Sequence, residues 1–282
     1  MVKNTFKTFV LLAGLGGLLI MVGQYFFGGN GAIIGLALGL VFAGGSYWFS
    51  DKLAIRATRA QPLEEAQAPE LYRMVRELTT ASNMPMPRLY VTPDEQPNAF
   101  ATGRNDRKAV VAVTQGIMKS LDDYELRGVI AHELAHIRNR DILIGSVAAA
   151  VAMGITFIAR MLMWGAMFGG SDDEGGSPLG ALALALLAPI AAAVIQMAVS
   201  RSREFEADRV GAHMAGSGEG LARALEKLHA TAKRVPMNVN PAQENAFIVS
   251  PLTGRKANFA KFFSTHPPVE ERIARLRSPQ LI

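Results

Sequence analysis

Ala131-His132-Glu133-Leu134-Ala135-His136 is the stretch on which the reading of this chain turns. In a helix its two histidines lie one turn, about 6 Å, apart on the same face. Both imidazoles can then reach one tetrahedral cation over bonds of about 2.0–2.1 Å. Glu133 is rotated off that face, where it can address a water beside the metal and act as general base. Val129, Ile130, Leu134 and Ile137 give the same helix a side to bury. The chain holds only five histidines, and chance seldom sets two of them around a glutamate at this spacing. A solvated helix that happens to carry these residues is the weaker reading.

Two imidazoles are too few for a catalytic zinc, which normally takes three protein ligands and keeps one position open. The chain has no cysteine, so thiolates are excluded and the third ligand must be a carboxylate or another histidine. Ser200-Arg201-Ser202-Arg203-Glu204-Phe205-Glu206-Ala207-Asp208 offers one. Glu204 and Asp208 are four apart, again on one helical face. Glu204 can complete the ligand set, and Asp208 can stand behind it and accept the ring N–H of a ligand histidine, fixing its tautomer. Alone, such a charged run reads as a solvated helix face; downstream of the histidine pair it reads as the missing ligand. Glu206 is the competing candidate and ranks below Glu204.

Working outward, the flanking chain is apolar in long runs. Half of the residues are hydrophobic but only 7% are aromatic, and there are 27 glycines, a composition that suits closely packed membrane helices. Runs at about 8–27, 31–49, 142–168 and 179–199 each approach the 20 or so apolar residues that a bilayer requires. They pair into two hairpins, the first closed by Gly28-Gly29-Asn30. A cleavable signal peptide is the other reading of the first run, but no small-residue cleavage site leads into a polar mature start. A buried core hairpin is the other reading of the second pair, whose last run contains Pro189 and Gln196.

Charge sets the orientation. Lys3, Lys7, Lys52, Arg56 and Arg59 flank the first hairpin on one side, and Arg138, Arg140, Arg201 and Arg203 flank the second. The far loop of the second hairpin carries only Asp172, Asp173 and Glu174. Both termini and the polar parts are therefore expected in the cytoplasm, with Arg160 the one basic residue out of place. Most of the charges behind the net +5 lie beside the apolar runs or in the polar parts. No basic patch interleaved with aromatics appears, which argues against nucleic acid as a partner.

The expected architecture is mainly α, of α+β type. A first transmembrane hairpin (1–50) leads to a first catalytic part (51–141), a second hairpin (142–199) and a second catalytic part (200–282). The catalytic parts are expected to form a cytoplasmic, zincin-like domain with a small β-sheet. Periodicity predicts helices over 69–81, 218–233 and 269–277, and a helix starting near Ser120 with capping-box spacing to Asp123. Strands are expected at 88–92, 98–102 and 109–114. Residues 235–265 form a long loop that could cover a cleft.

The His132–His136 stretch, the run from Ser200 to Asp208, and Ser264-Thr265-His266-Pro267-Pro268 together resemble the HtpX-type membrane zinc metallopeptidases, relatives of the CAAX prenyl proteases. The resemblance spans nearly the whole chain. It implies one Zn²⁺ held by His132, His136 and Glu204, with Glu133 as catalytic base. It implies that His266, otherwise an ordinary loop histidine, polarises the scissile carbonyl or its oxyanion. Asn98, otherwise a strand-start residue, matches an edge-strand segment that pairs with substrate backbone. The resemblance further implies an endopeptidase of the bacterial inner membrane that cleaves misfolded or damaged membrane proteins, and also cytoplasmic ones, under stress. An ATP-dependent membrane protease is the implied partner.

Three other functions are weaker. A prenyl-protein endopeptidase would need a larger helical chamber than four spans provide. An idle scaffold or holdase would show a damaged metal motif. A transporter would need intramembrane charge, and only Arg160 offers it.

Overall fold

Val110-Val111-Ala112-Val113-Thr114 is buried at every position, and a strand without a solvent face must lie inside a sheet. In the computed structural model it does so. The structure describes residues 48–103, 105–141, 201–234 and 267–279, with isolated positions between 17 and 37. In chain order its elements are α1 (Ser50–Ala57), β1 (Gln61–Pro62), a 3₁₀ turn, α2 (Pro69–Ala81), β2 (Arg88–Thr92), β3 (Ala99–Thr102), a second 3₁₀ turn and β4 (Val110–Thr114). Then follow α3 (Gln115–Ser120), α4 (Asp123–Asn139), α5 (201–215), α6 (Glu219–Arg234) and α7 (Val269–Leu276). The described fold is mainly helical with one small mixed sheet.

The sheet order is β1-β2-β4-β3. β2 and β4 run parallel, with Leu89 opposite Val111 and Val91 opposite Val113. β3 lies antiparallel to β4 at the sheet edge, with Ala99 opposite Val113 and Ala101 opposite Val111. The Thr114 N–H donates to the Asn98 carbonyl at 2.9 Å. By the alternation of antiparallel pairs, Phe100 and Thr102 also bond β4, while the backbone groups of Ala99 and Ala101 face the open edge.

α4 packs over β3 and β4 and is flanked by α2 and α6. Leu71, Met74, Val75 and Leu78 of α2, Val129, Ile130 and Leu134 of α4, and Leu221 and Leu225 of α6 form the core between them. Burial of each such side chain contributes about 1.5–3 kcal/mol, which fixes the metal-motif helix against the sheet.

Helix starts show where local reading succeeds. The predicted helices over 69–81, 218–233 and 269–277 appear within a residue or two of their expected ends. The helix expected from Ser120 is a correction. Ser120 ends α3, its hydroxyl bonding back to the Gly116 carbonyl at 2.7 Å. α4 begins at Asp123, three residues later, on a different box: its N-cap Asp122 accepts the Glu125 N–H at 2.9 Å and Glu125 accepts the Asp122 N–H at 3.0 Å. Two reciprocal bonds outcompete one spacing match.

The chain divides into two compact units, one of residues 1–47 with 143–199 and the other of 48–142 with 200–282. Every element named above belongs to the second. Among the described residues no helix is long and apolar enough to cross a membrane. The four expected spans lie outside the described residues apart from isolated positions, as do His266 and the loop 235–265.

Candidate metal site

α4 presents His132 and His136, and α5 presents Glu204 and Asp208. The two helices can meet at these residues because Gly211 allows it. A Cβ at Gly211 would stand 2.9 Å from both the Cα and the N of His132, closer than carbon atoms pack. Glu204, Asp208 and Gly211 share one face of α5, so the glycine sets how near the two carboxylates come to α4.

The metal-facing atoms converge. His132 Nε2 and His136 Nε2 are 3.1 Å apart, His136 Nε2 and Glu204 Oε1 3.4 Å, and His132 Nε2 and Glu204 Oε2 3.7 Å. A tetrahedral zinc with bonds of about 2.0–2.1 Å separates its ligand atoms by about 3.3 Å, between the 3.1 Å of the two imidazoles and the 3.4 Å from His136 Nε2 to Glu204 Oε1. Glu204 and His132 are almost fully buried, at 5% and 2% exposure.

Both outer nitrogens are engaged by carboxylates. His132 Nδ1 lies 3.0 Å from Asp208 Oδ1 and His136 Nδ1 lies 2.8 Å from Asp141 Oδ2. A carboxylate only accepts, so each Nδ1 carries a proton, and in the neutral ring each Nε2 is left free to take a metal. Two imidazole nitrogens and a carboxylate meeting at one buried point are held together either by a proton on His136 or by a cation between them. The donor set therefore fits zinc, with the outer carboxylates in the arrangement that orients metal-bound histidines. Without metal, burial is the largest influence on His136 and pushes its pKa down, but hydrogen bonds to Asp141 and Glu204 outweigh it and carry the pKa up to about 10.

Asp141 reaches His136 through the way α4 ends. Arg140 closes the helix in the left-handed region at φ 58, a conformation that strains a non-glycine residue by roughly 1–2 kcal/mol. The turn brings Asp141 back towards the helix it has just left, and Arg203 of α5 holds the Asp141 carbonyl at 2.6 Å. Asp208 is held from the other direction. Arg272 of α7 is entirely buried and donates to Asp208 Oδ1 at 2.7 Å and Oδ2 at 2.9 Å. Burial alone would raise the Asp208 pKa, but the Arg272 charge and the His132 hydrogen bond hold it below the usual carboxylate range.

Glu133 is buried beside this cluster, and its carboxylate takes a hydrogen bond from the Ala101 backbone on the open edge of β3. Burial raises its pKa against the lowering influence of His132 and His136. A carboxylate with raised proton affinity at the mouth of a strand edge suits a general base.

Of the residues singled out in the sequence, His132, Glu133, His136, Glu204 and Asp208 are brought together. Glu206 is not; it lies on the outer face of α5, paired with Arg209 at 2.7 Å. Asn98 is buried at the head of β3, its backbone N–H bonded to Thr114 Oγ1 at 2.9 Å. His213 is exposed, its Nδ1 3.0 Å from the Arg209 carbonyl, and His229 lies 3.5 Å from Glu270. Sequence reasoning missed Asp141, Arg203 and Arg272. Only Arg272 left a signal: it occupies the apolar stripe of Val269, Arg272, Ile273 and Leu276, where a charge must find a buried partner.

The sequence profile of Peptidase family M48 matches residues 65–280. The chain belongs to that family. It is 53% identical to a protein named protease HtpX homolog from Syntrophobacter fumaroxidans, covering 98% of this chain and 99% of that one. It is 52% identical to one of the same name from Pelotomaculum thermopropionicum, covering 98% and 99%. Its fold is shared with the crystal structure of Ste24p from S. mikatae, with a TM-score of 0.62 over 98% of this chain and 66% of that one, at 19% identity. This M48 chain is a metalloprotease, and its family is zinc-dependent.

Proposed function

We propose that this chain is a membrane-integrated zinc endopeptidase that cleaves misfolded or damaged membrane proteins from the cytoplasmic side, as part of stress-linked protein quality control. The convergence of His132, His136 and Glu204 beside Glu133 supports the chemistry. The four apolar runs and their basic flanks support the location in a bacterial inner membrane, with both termini cytoplasmic.

His132, His136 and Glu204 would hold the ion. When bound, zinc supplies Lewis acidity for activating water and polarising a carbonyl. Glu133 takes the proton of the attacking water and passes it to the leaving amine. A substrate strand adds to the open edge of β3, where main-chain hydrogen bonds at Ala99 and at the Ala101 carbonyl supply affinity with little demand on sequence. That tolerance suits damaged proteins of many sequences. The Ala101 contact to Glu133 puts the added strand beside the base. Asn98, at the head of the same strand, contributes to this surface, and His266 stabilises the developing oxyanion. An ATP-dependent membrane protease working on the same damaged proteins is the proposed partner.

Cleavage of an unfolded membrane protein by the purified full chain in detergent tests this reading. Activity should disappear with chelator and return with zinc. Glu133→Gln should keep its zinc and lose at least about 10²-fold in rate. Undiminished cleavage by that variant would overturn the assignment of the base.

A further inference from the structure

Arg272 is a guanidinium with no exposure to solvent, carried by a short helix at the far end of the chain. Its Nη1 lies 3.3 Å from Glu204 Oε2, and its Nη2 lies 3.4 Å from His132 Nε2. The same group forks onto both oxygens of Asp208, which in turn faces His132 Nδ1. One cation thus lies against both Glu204 and His132 and also holds Asp208, the outer partner of His132.

α7 is fastened for this purpose on its outer side too. Arg275 stacks 3.6 Å from the centre of the Phe205 ring on α5. Arg277 reaches Glu219 and Glu226 of α6 at 2.9 and 2.7 Å.

We propose that Arg272 is a positioning residue for the metal, clamping Glu204 and Asp208 so that one Glu204 oxygen and His132 Nε2 point at the ion. This rests on the zinc reading of the site given above. The clamp explains a carboxylate ligand held to one orientation: Oε2 faces the guanidinium while Oε1 lies nearer His136 Nε2. It also makes the last helix a working part of a metal site whose ligands lie on α4 and α5.

Charge and position predict opposite outcomes. A cation beside a dication repels it, so on Coulomb's law alone removal of Arg272 tightens zinc binding. If Arg272 positions the ligands, its removal weakens binding, as loss of outer-shell partners does, by roughly 10–100-fold. Lysine keeps the charge but cannot make the planar fork.

The test is zinc affinity, measured by chelator competition on the full chain in detergent for wild type, Arg272→Met and Arg272→Lys, with the Co²⁺ absorption spectrum recorded at saturation. Both variants should bind zinc roughly 10–100-fold more weakly and show a shifted Co²⁺ spectrum. Should Arg272→Met fail to fold, Arg272→Lys gives the answer by the same measures. Variants that lose only thermal stability, with affinity and spectrum unchanged, overturn the proposal, as does tighter binding. Absence of zinc binding in wild type would instead sink the reading of the site itself.

Discussion

Glu133 is a carboxylate whose surroundings oppose its charge. Burial raises its pKa above the ordinary 4.5, so in the metal-free protein the folded state holds that proton more tightly than the unfolded chain does. Above both pKa values the buried charge is a net cost to folding; below about 4.5 both states are protonated and the cost vanishes. Metal-free Glu133→Gln should therefore melt at a higher temperature than wild type at pH 8, with the difference closing as the pH falls towards 4.5. Melting curves in chelator across that range check the sign, and a less stable variant at pH 8 would contradict it. The role of Glu133 was legible because the motif is local: three residues within one helical turn and a half state their own geometry. Asp141 and Arg272 were not. The first acts through a left-handed turn at Arg140, and the second acts through a helix more than 60 residues beyond Asp208.

At the scale of elements, the site is a crossing of two helices, and Gly211 governs how close they come. Alanine there forces its Cβ against the His132 backbone, and α5 must move away by some tenths of an ångström. Glu204 and Asp208 ride on the same face and move with it. Gly211→Ala should weaken zinc binding at least several-fold and lower stability by about 1–3 kcal/mol, the range for overpacking, measured by chelator competition and denaturant melts. Unchanged zinc affinity would show that the crossing distance does not set the ligand geometry. Amphipathic periodicity made α2, α6 and α7 readable in advance, because each hides one apolar stripe. The short α1, β1 and α3 were not, since two to eight residues carry too little period to distinguish them from loops. The start of α4 was misread for a related reason: Ser120 and Asp122 both offer caps, and only the bonds formed decide between them.

On the scale of the molecule, two stretches of chain separated by an apolar segment of some sixty residues assemble one site. His132 and His136 come from before it, Glu204 and Asp208 from after it, and Arg272 from the far end. That assembly was anticipated from the histidine spacing and from the need for a third ligand. The residues at 98–102 announced only a strand, and its place at a sheet edge came from the resemblance alone, because which strand ends a sheet depends on pairing partners that lie elsewhere in the chain. The central claim, that both stretches grip one ion, is tested most directly by elemental analysis of the purified full chain and two variants. Wild type and Glu133→Gln should each carry one zinc per chain, and Glu204→Gln should have lost it. A wild type without zinc, or a Glu204→Gln variant that retains a full complement, would contradict the account.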